Sequence, residues 1–171
     1  MCGTAITVRV RPGDNLMILK ALQMVRPGNV LVIDGGGDTS RAVVGGIMRA
    51  IALKAGLAGI VINGAMRDLE DWIVGSLPIY ALECTHRGPS TEGSGEINVS
   101  VSCSGLVVNP GDLVVGDGDG VVAVDCKLLD EVLAQSNRLL EREKKMLADI
   151  ENDALDKGRF DEPLRARGCP I

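Results

Sequence analysis

The chain has 171 residues, of which 46% are apolar and 24% charged, so it can build a core and is not a disordered chain. No apolar run reaches the roughly 18 residues that span a bilayer. The alternating, charged stretch over residues 1–11 does not read as a signal peptide, and a net charge of −5 without a basic cluster disfavours a nucleic-acid phosphate track. Neither a membrane nor a nucleic acid is therefore expected as a partner. An anionic small substrate stays compatible with the charge where a local Arg or a metal offsets the field. The length favours a single domain over residues 1–171.

With 22 Gly and one residue each of Phe, Tyr and Trp, the core must be aliphatic and closely packed. The five cysteines, at positions 2, 84, 103, 126 and 169, show no metal-finger spacing and read as free thiols in a reducing cytoplasm. The lone His86 cannot by itself supply a His-rich metal site or a Ser-His-Asp triad.

In chain order, residues 5–10 alternate as a short strand. Asp14 or Asn15 can cap a helix running to about Val25, where Arg26-Pro27-Gly28 stops it. Residues 30–33 form an apolar run, a strand buried on both faces. Gly35-Gly36-Gly37 is a turn, and Thr39 or Ser40 opens a helix predicted to reach Ala55 before Gly56 ends it. Residues 59–62 are a second buried strand, Asn63-Gly64 turns the chain, residues 68–74 can make one or two helical turns, and residues 78–82 form another strand. A polar, Gly-rich loop over 85–96 follows. Short strands are then predicted over 97–102, 106–108, 113–115 and 121–124, separated by Asn109-Pro110-Gly111-Asp112 and Gly116-Asp117-Gly118-Asp119-Gly120. Residues 127–156 lack Pro and Gly and repeat Leu129, Val132, Leu133, Leu140, Leu147 and Ile150 at helical spacing, a long amphipathic helix. Residues 157–171 are expected to pack loosely or against a partner. A βαβ half followed by a meander predicts a three-layer α/β domain with a mixed sheet and a long C-terminal helix.

Gly45-Gly46-Ile47-Met48 can let a ligand approach the backbone, with amides near a helix start holding a carboxylate or phosphate; the plainer reading is close helix–strand packing. Arg67-Asp68 follows a buried strand, where ligand sites lie in open α/β sheets. The Arg can clamp a carboxylate and the Asp can ligate Mg²⁺, against the alternative of a surface ion pair with a helix-capping Asp. Asp117 and Asp119 read as a hairpin turn before a cation site, because the calcium-loop pattern and its closing Glu are lacking. Gly35-Gly36-Gly37 lacks the dinucleotide and P-loop fingerprints. Arg87 can help bind an anion, His86 reads as a solvated loop residue, Asp71 and Trp72 as structural, and residues 141–145 as a solvated helix face.

Taken in order, Cys2-Gly3-Thr4-Ala5-Ile6-Thr7-Val8, Pro12-Gly13-Asp14-Asn15, Arg26-Pro27-Gly28-Asn29-Val30-Leu31-Val32, Ala42-Val43-Val44-Gly45-Gly46, Gly56-Leu57-Ala58-Gly59 through Arg67-Asp68, Arg87-Gly88-Pro89, Asn109-Pro110-Gly111-Asp112-Leu113 and Asp117-Gly118-Asp119-Gly120-Val121 resemble the RraA-like family. That family includes 4-hydroxy-4-methyl-2-oxoglutarate aldolases, which also decarboxylate oxaloacetate, and regulators of RNase E. The resemblance implies a swivelling β/β/α fold in homotrimers or hexamers with sites between subunits. It implies that Arg67 binds the substrate carboxylate and keto oxygen, that the amides of Ile47 and Met48 hold the carboxylate, and that Asp68 ligates Mg²⁺ or Mn²⁺ through a water shell. On this reading the substrate-binding set is Gly45, Gly46, Ile47, Met48 and Arg67, the catalytic pair Arg67 and Asp68. Glu141 or Glu143 approaches the metal from another subunit. The activity expected is a metal-dependent, class II cleavage of 4-hydroxy-2-oxo diacids to pyruvate; the rival is a non-catalytic regulator binding RNase E, a helicase or another protein. The chain departs from the pattern in two ways. The aldolases' acidic residue 21 positions before the Arg is here Gly46, a loss of the kind that costs roughly 10–100-fold, with Asp38 as a candidate substitute; and the family's N-terminal helical segment is expected to be absent. A demethylmenaquinone methyltransferase reading is rejected, since no strand leads into a glycine-rich S-adenosylmethionine loop.

Overall fold

The computed structural model describes residues 1–156 and 158–171, which divide into two compact units, Met1–Lys127 and Leu128–Ile171. The first unit is mixed α/β. Its strands are β1 (Cys2–Val10), β2 (Asn29–Asp34), β3 (Ala42–Val44), β4 (Gly59–Met66), β5 (Ile79–Cys84), β6 (Gly95–Ile97), β7 (Val101–Cys103), β8 (Leu106–Val108), β9 (Leu113–Gly116) and β10 (Val121–Val124). Its helices are α1 (Leu16–Leu22), α2 (Gly46–Lys54) and α3 (Leu69–Ile73).

The main sheet runs β10-β9-β1-β2-β4-β3, with β5 added to β4 and β6 to β1. β1, β2, β3, β4 and β5 pair in parallel, while β6 and β9 run antiparallel to β1 and β10 antiparallel to β9. β7 and β8 form a separate antiparallel pair.

Strand alternation explains why an unbroken apolar run is needed at β2. Leu31 and Ile33 enter one core with Ile18, Ile60 and Ile62. Val30 and Val32 enter a second core with Val61, Val101, Val108 and Val114. Both faces are covered, so neither can be polar, and each such side chain contributes about 1.5–3 kcal/mol on burial. Thr7 is the polar exception in β1; it is fully buried and its hydroxyl donates to the carbonyl of Val99 at 2.6 Å.

Several elements differ from the sequence reading. The helix predicted from Thr39 or Ser40 is a strand over Ala42–Val44, and the helix starts only at Gly46. The β-branched pair Val43-Val44 is buried beside β4, and this tertiary pairing overrides the helical pattern. Asn63-Gly64 is not a turn, because β4 runs through it to Met66; the irregularity is a register shift against β5 between Ile62 and Ala65. α1 ends at Leu22, short of Val25. The strand predicted over 97–102 is two strands, broken where Asn98 takes φ 57°.

In the second unit, α4 (Leu129–Glu151) and α5 (Asp161–Ala166) are the helices. α4 is shorter than the expected 127–156: Asn152 turns its side-chain amide onto the carbonyl of Ala148 and Asp153 adopts φ 53°, the local polar competition that ends helices. Lys157, where the loosely packed terminus is expected to begin, lies outside the described residues. No helix among the described residues is long and apolar enough to cross a membrane.

Candidate active site

β3 and β4 are parallel, with Val44 opposite Met66, so their carboxyl ends release Gly45 and Arg67 side by side. The amide of Arg67 donates to the carbonyl of Val44 at 3.0 Å, and Trp72, buried in the core, donates its indole N–H to the carbonyl of Arg67 at 3.1 Å. Two backbone anchors therefore set where the guanidinium leaves the sheet. Asp68 follows with φ 64° and ψ 45°, a left-handed conformation that Asp tolerates better than most residues. That bend carries its carboxylate away from α3, whose N-terminus it does not cap, and onto α2, where Oδ2 accepts from the amide of Gly46 at 2.7 Å. Arg67 Nε lies 3.8 Å from the same oxygen, with both side chains about two-fifths exposed. This is a loose pair and contributes little to stability.

The glycines at 45 and 46 leave room for the Arg67, Asp68 and Asp71 side chains. Gly45 is extended, at φ −149°, so its backbone suits any residue; a Cβ there would stand 2.7 Å from Asp68 Oδ2 and 3.0 Å from Arg67 Cγ and Nε. A Cβ on Gly88 would stand 3.1 Å from Arg67 Nη1, so the guanidinium is flanked by two glycines. A Cβ on Gly46 would meet Asp71 Oδ2 at 2.7 Å and Asp68 Oδ2 at 3.4 Å. The amides of Ile47 and Met48 belong to the first turn of α2, where a helix has no internal acceptor to offer. The Met48 side chain is buried and that of Ile47 is exposed.

These residues line one cavity of about 350 Å³ that includes Asn15, Gly45, Gly46, Ile47, Met48, Arg67, Asp68 and Pro89. The structure thus brings together every residue of the predicted set. It also adds Asn15, which the sequence presents only as a helix cap. Asn15 is 9% exposed, its amide nitrogen reaches only Met48 Sδ at 3.6 Å, and its Oδ1 has no partner. Asn15 holds the N-cap position of α1 without a side-chain cap bond; the amide of Leu16 donates instead to Asp14 Oδ1 at 2.9 Å. Asp14 Oδ2 takes the Ser90 hydroxyl at 2.6 Å and the amides of Glu92 and Gly93 at 2.8 Å each. Burial pushes this carboxyl up, but the bonds from Ser90, Leu16, Glu92 and Gly93 more than offset it and hold the group below its ordinary value. The clamp ties down the loop that carries Pro89 to the cavity rim.

None of the other candidates in the first unit lines this cavity. Asp38 accepts from the amide and hydroxyl of Ser40, and the carboxylates beside Gly46 are Asp71 and Asp68, so Asp38 is not the substitute. The amides of Gly35 and Gly37 both donate to the carbonyl of Asn63 and that of Gly36 to Asp34, which leaves no phosphate cradle in that turn. Asp117 and Asp119 close a hairpin turn on themselves. His86 and Arg87 are exposed; the carbonyl of Arg87 accepts from the amide of Ala42. Glu141 and Glu143 lie on α4 in the second unit, with Glu141 paired to Lys144 at 2.8 Å. Cys103 is buried, its thiol pushed up to about 11 by burial, with Asp34 adding to the rise against a bond from the Asn63 backbone; it is no nucleophile.

Known proteins resemble this chain in sequence and fold. The family model for RraA-like proteins, described as Aldolase/RraA, matches residues 1–123. A relative from Halalkalibacterium halodurans, provisionally named 4-hydroxy-4-methyl-2-oxoglutarate aldolase, is 40% identical over 149 residues, covering 87% of this chain and 68% of its own. Among solved structures, the RNA-processing inhibitor RraA of Thermus thermophilus is 34% identical with a TM-score of 0.68, covering 72% of this chain and 74% of its own. A Geobacillus kaustophilus protein described as S-adenosylmethionine:2-dimethylmenaquinone methyltransferase is 34% identical with a TM-score of 0.71, covering 75% of this chain and 80% of its own.

Proposed function

The chain belongs to the Aldolase/RraA family, and from that membership we propose that it is a metal-dependent lyase that cleaves 4-hydroxy-2-oxo diacids to pyruvate and decarboxylates oxaloacetate. The observation that carries the reading is the convergence of Arg67, Asp68 and the first amides of α2 on one cavity with an unpartnered, buried Asn15.

The donor set fits Mg²⁺ or Mn²⁺ held mainly by water. Asp68 is a hard oxygen donor beside the cavity, and among the described residues no three His, Cys, Asp or Glu gather into a cage, as a closed zinc or calcium site would require. When bound, such a cation supplies Lewis-acid polarisation of the substrate's keto group. The chain's own residues bind and orient. The amides of Ile47 and Met48, at the positive end of α2, receive the substrate carboxylate. Arg67 presents a forked, permanently charged donor to the carboxylate and keto oxygens. In oxaloacetate the C3–C4 bond then breaks, CO₂ leaves, and the electron pair passes to the C2 oxygen as an enolate. The Arg67 guanidinium stabilises that charge more than it does the ground state. A proton from water at C3 completes pyruvate.

The test is pyruvate release from oxaloacetate and from 4-hydroxy-4-methyl-2-oxoglutarate, with Mg²⁺ and with EDTA. Arg67→Ala should lower kcat/KM about 10²–10³-fold, the size of effect seen when one transition-state donor is removed. An Mg²⁺-dependent rate untouched by that change would refute the assignment.

One observation favours a second reading, a non-catalytic regulator. Ile47 on α2 and Ile73 and Val74 at α3 are 79%, 72% and 85% exposed, apolar side chains open to a protein partner. It predicts capture of RNase E or a helicase and no turnover of any oxo acid.

A further inference from the structure

Among the described residues that line the cavity, polar side chains come from Asn15, Arg67 and Asp68 alone. Arg67 carries donors only, and Asp68 Oδ2 already accepts from the amide of Gly46. Asn15 is the neutral one of the three. Its backbone is pinned on both sides: its amide donates to the carbonyl of Ser90 at 3.1 Å, and its carbonyl accepts from the amide of Leu19 at 3.1 Å. Its side chain is nine-tenths buried, yet Nδ2 finds only the Met48 sulfur at 3.6 Å and Oδ1 finds no donor. A thioether accepts weakly and cannot donate, so Met48 takes the NH₂ end of the amide and the oxygen is left over. A buried acceptor without a donor costs free energy in the unliganded protein. The Met48 contact is weak enough for the amide to turn about its last bond toward a donor in the cavity. Leu19, Ala42, Val43 and Val44 line the same space and offer no side-chain donor in competition.

A 4-hydroxy-2-oxo diacid has one hydrogen-bond donor to give. Its carboxylates and keto oxygen are acceptors and suit Arg67 and the α2 amides; only the 4-hydroxyl carries a hydrogen that an acceptor can take. We propose that Asn15 is a specificity-determining residue of this site, its Oδ1 accepting from the substrate's 4-hydroxyl. The inference rests on the lyase reading above and divides its two substrates. Oxaloacetate in its keto form has no hydroxyl and leaves Oδ1 unpaired, and a buried polar atom left unpaired is what lets a site reject an analogue lacking the matching group. A carboxamide is no base near neutral pH, so Asn15 holds the hydroxyl and does not take its proton.

The experiment compares kcat/KM for 4-hydroxy-4-methyl-2-oxoglutarate with kcat/KM for oxaloacetate, both with Mg²⁺, in the wild-type chain and in Asn15→Leu, which keeps the size of the side chain and removes its acceptor. The first should fall roughly 10–100-fold more than the second, the effect of deleting one partner of a buried hydrogen bond. Equal losses would show that Asn15 serves packing, and no loss with either substrate would show that it serves neither; both results overturn the inference and leave the lyase reading standing. The wild-type chain tests the contact without a substitution. As inhibitors of CO₂ release from oxaloacetate, 4-hydroxy-2-oxoglutarate should act at a concentration at least about tenfold below that of 2-oxoglutarate, which differs from it by the hydroxyl alone. Equal inhibition overturns the inference, as does a wild-type chain that decarboxylates oxaloacetate and cleaves no 4-hydroxy acid. If the wild-type chain turns over neither substrate with Mg²⁺ or Mn²⁺, the lyase reading itself falls, and this inference with it.

Discussion

Gly45→Ala adds one methyl group to the most crowded point of the cavity. The new Cβ would lie 3.0 Å from Arg67 Cγ and 2.7 Å from Asp68 Oδ2, whereas carbon atoms in contact prefer roughly 3.5–4.0 Å. Arg67 must therefore retreat by about 0.5–1 Å. Both neighbours are side chains with two-fifths of their surface open to water, so the retreat is outward and unfolding stability should change by less than about 1 kcal/mol, well under the cost of overpacking a closed core. Catalysis should suffer more, because a misplacement near 1 Å can cost about 100-fold. The expected outcome is a kcat/KM for oxaloacetate lowered roughly 10–100-fold, equivalent to about 1.4–2.7 kcal/mol of transition-state stabilisation, at an almost unchanged urea midpoint. Pyruvate formation coupled to NADH oxidation gives the first quantity and tryptophan fluorescence of Trp72 the second. A variant with wild-type kcat/KM would show that Arg67 does not act from its observed position, and a variant that unfolds would show that the glycine serves packing.

Asp14→Asn should destabilise the first unit by about 2–3 kcal/mol at neutral pH, since three donors to Oδ2 lose an ionised acceptor. The folded group sits below its ordinary 3.8, so its contribution is complete above the unfolded value and is lost as pH falls through the lowered folded one. Urea unfolding at pH 7 and in acid should therefore show an acid loss in wild type that is smaller in the variant; equal acid sensitivity would refute the clamp. Thiol labelling at pH 8 should modify Cys2, Cys84, Cys126 and Cys169 quickly, because they are exposed, and leave Cys103 intact until the protein is denatured. Rapid labelling of Cys103 in native protein would mean that the core under β7 opens far more readily than its burial indicates.

Much of this arrangement is legible in the residues. The aliphatic runs at β2 and β4 announce strands buried on both faces, and a charged Arg-Asp pair at the end of one of them announces a site, because topology alone puts such positions on the rim. Motif order also brings Gly45 to Met48 next to Arg67. What escapes a linear reading is set by contacts distant in sequence. Val43-Val44 is a strand because β4 lies alongside, Asn63-Gly64 continues a strand because β2 pairs at Asn63 and β3 at Ala65, and the Asn15 side chain is left to the cavity because Asp14 already accepts from the first helical amide. Asp71 belongs to this class as well: the spacing of Asp68 and Asp71 is visible, but only the fold shows that both look across to another helix. The two polar residues ahead of the apolar α1 segment are the signal that could have raised Asn15, since one cap needs only one of them.

β4 is the measuring rod of the pocket. It enters between two cores, keeps β2 along part of one edge and β3 further on, and delivers Arg67 on its next step. Side chains swap faces at every residue of a strand, so losing or gaining a single position between Ile60 and Met66 would invert the frame and send the guanidinium to the opposite side of the sheet. The segment between β2 and β3 feeds the pocket no side chain, and its length can drift without that penalty. Anyone grafting this cradle into another scaffold inherits the same asymmetry: the strand must be copied residue for residue, while the connection before it can be rewritten.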